Sequence, residues 1–216
     1  SLQSPLGEPL KPTTGEGYEL GIKYQPRGLD TLITAAWFEV TQQNVAKADP
    51  VNTGFATQVG EVEVKGVEVE IRSSLTRSLD VIAAYTYQDS TITNDLNPAI
   101  IGNRMPNVPE TMASVWAMYT WHDGLLAGLG LGGGVRFVGE TFADDGNTVE
   151  VASYTLVDAA ISFDVGRLIP DFDGLQLQLN VTNVFNEYYV NSCYLSSTYC
   201  LLGAERAALA TATYRW

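Results

Sequence analysis

The sequence predicts an all-β protein: an antiparallel transmembrane β-barrel, of which about nine strands are present. Three observations predict it. Apolar and polar residues alternate with period two along most of the chain, and no segment sustains the i, i+3, i+4, i+7 spacing of an amphipathic helix. The connections between alternating segments are sorted into short and long ones. The last segment carries aromatics at the end of its apolar face.

Taken in order, Thr14 to Gln25 sets Tyr18, Leu20, Ile22 and Tyr24 against Glu19, Gly21, Lys23 and Gln25. Pro26-Arg27-Gly28 then turns the chain. A second strand spans Leu32 to Val40, and the polar stretch Thr41 to Gln58, with Pro50 and Gly54, reads as a long loop. The third strand, Val59 to Ser73, changes parity: Val62 and Val64 share one face, Val67, Val69 and Ile71 the other. A β-bulge at Lys65-Gly66 would account for the change and keep Glu68, Glu70 and Arg72 off the apolar side. After a turn at Leu75 to Ser78, strand four runs from Leu79 to about Thr91, and Asn94 to Pro109 is a proline-containing loop. Thr111 to Trp121 is strand five, His122-Asp123-Gly124 a tight turn, and Leu125 to Val138 strand six. A loop over Gly139 to Glu150 leads to strand seven, Ala152 to Val165, and a short connection over Gly166 to Gly174. Strand eight alternates most cleanly, Leu175, Leu177, Leu179 and Val181 against Gln176, Gln178, Asn180 and Thr182, with Tyr188 and Tyr189 closing it. Val190 to Leu202 is the last long loop. In the terminal strand Ala208, Ala210, Ala212, Tyr214 and Trp216 face one way and Thr211, Thr213 and Arg215 the other.

Short connections near residues 26, 75, 122 and 166 thus alternate with long ones near 43, 94, 139 and 190. Outer-membrane barrels have short periplasmic turns and long outer loops; a soluble sandwich has no reason to sort its loops this way. Bacterial single-chain barrels have an even strand number, and open sheet edges are not viable in lipid. Nine strands therefore read as the C-terminal part of a larger barrel. Tyr214 and Trp216 read as the aromatic end of a membrane-insertion signal.

Composition agrees and excludes. Hydrophobic residues make up 45% of the 216 residues, yet no run reaches the roughly 18 a membrane helix needs. The start, SLQSPLGEPLKP, has neither the charged n-region nor the apolar h-region of a signal peptide. With 25 acidic against 12 basic residues and a net charge of −13, the chain lacks the basic face of a nucleic-acid binder. Cys193 and Cys200 read as one local disulfide of an oxidising compartment; two free thiols of a cytosolic protein are the competing reading.

Several motifs carry less than they suggest. Gly128 to Gly133 matches GxGxxG, but strand rather than helix follows it. A lumen-side glycine stripe, where something bulky such as an internal plug approaches the wall, fits better. Asn180-Val-Thr182 is a glycosylation pattern set in mid-strand. His122, the single histidine, sits in a turn, which disfavours an outer-membrane hydrolase with a histidine base. Asp144, Asp145 and Glu150 have calcium-ligand chemistry, with a solvated acidic loop the plainer reading.

KPTTGEGYELGIKY (Lys11 to Tyr24), GEVEVKGVEVEI (Gly60 to Ile71), GNRMPNVPETMASVW (Gly102 to Trp116) and LQLNVTNVFNEYYV (Leu177 to Val190) resemble, in this order, C-terminal motifs of TonB-dependent outer-membrane siderophore receptors. The tail, Cys193…Cys200, then GAER and ATATYRW, resembles the hydroxamate (ferrichrome and ferrioxamine) group. The resemblance implies a 22-stranded barrel of the bacterial outer membrane around an N-terminal plug with a TonB box, neither of which is in this sequence. It implies ferric siderophore as transported ligand, TonB, outer-membrane lipid and lipopolysaccharide as partners, a monomer, no covalently bound cofactor and no catalytic residue. It also implies a disulfide closing the last outer loop and a ligand contact from the aromatic after the first loop cysteine, the position of Tyr194. Six residues separate the cysteines, one more than the resemblance leads us to expect. A passive porin, a catecholate siderophore or cobalamin as cargo, and an outer-membrane enzyme are the competing functions.

Overall fold

The computed structural model describes residues 4, 8–48, 55–194 and 199–216. They form strands β1 (Thr14–Tyr24), β2 (Asp30–Ala48), β3 (Ala56–Ser74), β4 (Leu79–Asn94), β5 (Thr111–Thr120), β6 (Leu129–Val138), β7 (Thr141–Phe142), β8 (Glu150–Val151), β9 (Tyr154–Asp164), β10 (Leu175–Thr182), β11 (Val190–Tyr194), β12 (Tyr199–Leu202) and β13 (Ala207–Tyr214). Nine of them make one antiparallel meander in the order β1-β2-β3-β4-β5-β6-β9-β10-β13. The other four pair as two small hairpins, β7-β8 and β11-β12, inside long connections. Among the described residues β1 pairs only with β2 and β13 only with β10, so the sheet is open at both ends.

The registers give the sheet two chemically distinct faces. Leu131, Ile161, Leu179 and Ala210 lie in one row across β6, β9, β10 and β13. Ile22, Ala35, Val69, Tyr85, Ala113 and Phe137 lie in another across β1 to β6. This face stays uncovered: Ile22 is 69% exposed and Ile161, in mid-sheet, 46%. An exposed apolar face of this extent belongs in lipid, because soluble surfaces rarely carry contiguous patches beyond a few hundred Å². The other face carries Glu19, Lys23, Glu68, Glu70, Arg72, Gln176, Gln178, Thr211 and Thr213, and it is the lumen wall. Rows also climb across the sheet. The row that starts at Tyr24, beside the first short turn, passes Ile33, Ile71, Ala83, Val115 and Val135 and reaches Val157 in the outer half of β9. That stagger is the shear of tilted barrel strands.

Several sequence expectations need correction. The register of β3 with β2 and β4 runs unbroken through Lys65 and Gly66, so no bulge lies there. Irregularities fall instead near Gln42 to Ala46 and at Glu61/Val62. The parity change has another cause. β2 and β3 each run for 19 residues, whereas crossing the bilayer takes about 9–11. The outward face of β3 is therefore polar above the membrane (Glu61, Glu63, Lys65) and apolar within it (Val67, Val69, Ile71). The stretch read as a loop over 41–58 is mostly this extension, though residues 49–54 lie outside the described residues. Gly66 serves packing: a Cβ there would come within 2.5 Å of both the Phe38 ring and the Tyr87 carbonyl.

Strand six starts at Leu129, because Gly124 to Leu126 form a 3-10 turn and Gly128 has φ 90°. Strand eight ends at Thr182, where Asn183 (φ 51°) turns the chain. The glycine stripe does face the lumen side, and its bulky neighbours come from β5. A Cβ on Gly132 would meet the Trp116 indole at 2.7 Å and Met118 Sδ at 2.8 Å, and one on Gly134 would meet Trp116 at 2.5 Å.

The two faces make a direct test. In the full-length parent, Leu179→Arg on the lipid face should cost about 2–4 kcal/mol and depress folding into lipid vesicles, read as heat-modifiable gel mobility. Gln178→Arg, one residue away on the lumen face, should fold as wild type. Equal effects would refute the assignment of faces.

Candidate functional site

At the outer end three long connections lock together. Residues 95–110 lie back along β4: Ile92 N–H donates to Asn103 C=O (2.9 Å), Gly102 N–H to Ile92 C=O (2.8 Å) and Met105 N–H to Ser90 C=O (3.0 Å). This covers Ser90 and Ile92, which are buried. Two asparagines then fasten the loops to one another. Asn107, at φ 61°, donates its backbone N–H to Phe142 C=O in β7 (2.8 Å). Its side-chain amide makes a reciprocal pair with Cys193: Oδ1 accepts the Cys193 N–H (2.7 Å) and Nδ2 donates to the Cys193 C=O (2.9 Å). Asn147, at φ 52°, does the same to Arg104, accepting its N–H (2.8 Å) and donating to its C=O (2.9 Å). Asparagine is the residue for this, since its short amide tolerates the left-handed region and mimics a peptide group.

The rest of the rim packs around these clasps. Arg104 sits over the Phe142 ring at 5.1 Å, and its Nε lies 3.4 Å from Glu110 Oε1, an ion-pair distance without hydrogen-bond alignment. Asp144 closes the β7-β8 hairpin, accepting from Thr148 Oγ1 (2.8 Å) and from the Thr148 and Val149 N–H groups (3.0 Å each). Burial alone would push its carboxyl upward, but these bonds, with one from the Gly146 N–H, outweigh it and hold the group below the ordinary carboxylate range. Its oxygens therefore serve the loop rather than open solvent, and among the described residues no group of three His, Cys, Asp or Glu is placed to hold a metal ion.

Cys193 and Cys200 are disulfide-bonded across β11-β12, with Cα atoms 4.0 Å apart. Buried Cys193 clusters with Ala143, Val151 and Val190, which seats this hairpin on β7-β8. Tyr194 follows in β11, in register with Tyr199; its side chain and residues 195–198 lie outside the described residues. At the base of the hairpin Gly203 N–H donates to Tyr189 C=O (2.8 Å), and the Tyr189 ring leaves Gly203 no room for a Cβ. Tyr189 also stacks on Tyr154 of the lumen wall, with centroids 4.2 Å apart. Beside them Arg136 forks onto Asp158 (Nε 2.7 Å, Nη2 3.1 Å), and Asp158 also accepts the Asn183 N–H (2.9 Å).

The remaining sequence candidates lie elsewhere. Tyr214 ends β13 on the lipid face with Trp216 beyond it, ring centroids 6.4 Å apart, at the short-turn end. His122 bonds the Arg77 carbonyl (2.8 Å) and so ties two short turns together. Sequence reasoning passed over Asn107, Asn147 and the Arg136–Asp158 pair. For Asn107 a signal was available in Asn-Val-Pro, where a left-handed asparagine suits the turn.

Asp144 supplies a pH test. A depressed carboxyl contributes order that is fully present above its unfolded value and is lost as pH falls through the folded value. The Thr148 and Val149 amide resonances should therefore hold steady at neutral pH and shift only at acid pH, with a midpoint below the ordinary carboxylate range. In Asp144→Asn they should not titrate.

Comparison with known proteins fits this architecture. The family model "TonB dependent receptor-like, beta-barrel" matches residues 2–184. The ferrichrome outer membrane transporter/phage receptor of Escherichia coli K12 is 40% identical over 211 residues, 97% of this chain and 27% of that protein. The ferrioxamine receptor of Yersinia enterocolitica is 41% identical over 212 residues, 95% of this chain and 28% of that protein. The crystal structure of the ferric-catecholate import receptor Fiu from E. coli K12, at 29% identity, superposes with a TM-score of 0.75 over 99% of this chain and 30% of that one. The chain thus spans little more than a quarter of the length of the curated relatives it matches. Those relatives are outer-membrane receptors and transporters, not enzymes, and the chain belongs to the TonB-dependent receptor-like β-barrel family.

Proposed function

We propose that this chain is the C-terminal part of the barrel of an outer-membrane receptor that binds ferric siderophore of the hydroxamate type and passes it to the periplasm with TonB-supplied energy. The observation that carries the reading is the disulfide-closed hairpin clasped to the outer rim, taken with 40% identity to a ferrichrome transporter and 41% to a ferrioxamine receptor. A hydroxamate siderophore is a mostly apolar cage around a polar iron centre, and aromatic surfaces with a few fixed polar groups suit it. A stiffened hairpin lowers the ordering cost of binding. Tyr194 is the ligand contact in this reading. The plug and TonB box belong to another segment of the parent protein, and further strands pair with the open edges at β1 and β13. The lipid face meets outer-membrane lipid and lipopolysaccharide, Tyr214 and Trp216 form the insertion signal, and the receptor works as a monomer.

The test is a tryptophan-fluorescence titration of the full-length parent in detergent with ferrichrome and ferrioxamine, against a ferric catecholate. Saturable quenching by a hydroxamate alone is expected, and Tyr194→Ala should weaken it about tenfold, the scale of one aromatic anchor. Quenching by the catecholate alone would transfer the receptor to the other cargo class. A conductance typical of an open pore would replace uptake with passive diffusion.

A further inference from the structure

A disulfide within one hairpin stiffens that hairpin but attaches it to nothing. Cys193 and Cys200 are partners in the same β11-β12 ladder, so their bond leaves the placement of the hairpin on the rim undetermined. Placement must come from contacts that leave the hairpin. Among those described, the one that fixes both direction and register is the Asn107 clasp. It engages the N–H and the C=O of Cys193 together, at 2.7 and 2.9 Å, as a neighbouring strand would. The apolar cluster of Ala143, Val151, Val190 and Cys193 supplies area but no direction. Asn107 is itself anchored from two sides, by its N–H on Phe142 and by the 103–105 segment bonded along β4. A continuous hydrogen-bonded route therefore joins the barrel wall, through Asn107, to the main chain one residue before Tyr194.

We propose that Asn107 is a positioning residue for cargo binding, acting through the backbone of Cys193 to set Tyr194 at the rim. The proposal rests on the uptake reading above. Asn107 touches no cargo. Its contribution is the entropy that Tyr194 would otherwise lose on binding.

The informative substitution is Asn107→Gly. Glycine keeps the left-handed backbone without strain and removes both side-chain bonds. Two measurements on the full-length receptor separate the possibilities. In the ligand-free protein, Asn107→Gly should abolish hydrogen-exchange protection of the Cys193 amide while that of β4 and β5 stays intact. In the fluorescence titration with ferrichrome or ferrioxamine, it should weaken binding about tenfold, or about 1.4 kcal/mol. The same change in a Tyr194→Ala background should weaken binding no further. Asn107→Asp, which can still accept the Cys193 N–H, should fall between. Binding by Asn107→Gly at wild-type strength would overturn the proposal, as would an equal loss with and without Tyr194. A wild-type receptor that answers no hydroxamate would remove the uptake reading and this role with it. A wild type that responds beside an unaffected Asn107→Gly would remove this role alone.

Discussion

A peptide group in hydrocarbon has no water to bond, and each one left unpaired costs several kcal/mol. That constraint organises this chain. It forces every membrane-crossing segment into a ladder, and short turns favour the antiparallel meander observed from β1 to β13. With the backbone spent on the ladder, the side chains alone carry the difference between lipid and lumen. Period two then puts Leu177 and Leu179 on one side and Gln176 and Gln178 on the other. At the short-turn end the His122–Arg77 bond joins neighbouring turns beside main-chain bonds such as Asp164 N–H to Gly128 C=O.

Beyond the membrane a second device joins the ladder. Among the described residues, the non-glycine residues at positive φ are all asparagines: Asn44, Asn107, Asn147, Asn183 and Asn186. Each ties down a neighbouring segment. Asn44 donates to Pro12 C=O, Asn186 accepts from Arg206 N–H, and Asn183 pairs with both main-chain groups of Glu187 while also donating to Ala204 C=O. The left-handed backbone turns the chain, and the side-chain amide supplies the peptide group that the departing strand no longer provides. The outer loops are thereby framed without a large apolar core.

The strands were legible in the sequence because lipid and lumen impose opposite chemistry on alternate residues. The final strand and the β10 alternation are read directly from Leu175 to Val181 and from Ala208 to Tyr214. The same rule misled at Lys65-Gly66. It assumes one environment per face, and the outward face of β3 passes from water beside Glu63 to lipid beside Val67 within a few residues. Gly66 looked like a bulge because its need, room for the Phe38 ring, lies on another strand. The loop frame was illegible for a related reason. Asn107 and Cys193 are 86 residues apart, and no local pattern announces that an asparagine amide will meet a particular main chain. Cys193 with Cys200 could be paired because the sequence places them only seven positions apart.

The clasps at Asn107 and Asn147 grip only main chain. Every residue but proline offers the same N–H and C=O, so the grip is indifferent to the side chain at the clasped position. A loop held this way can change its surface residue by residue without losing its seat. Side-chain change at the rim is thus separated from the geometry of the rim.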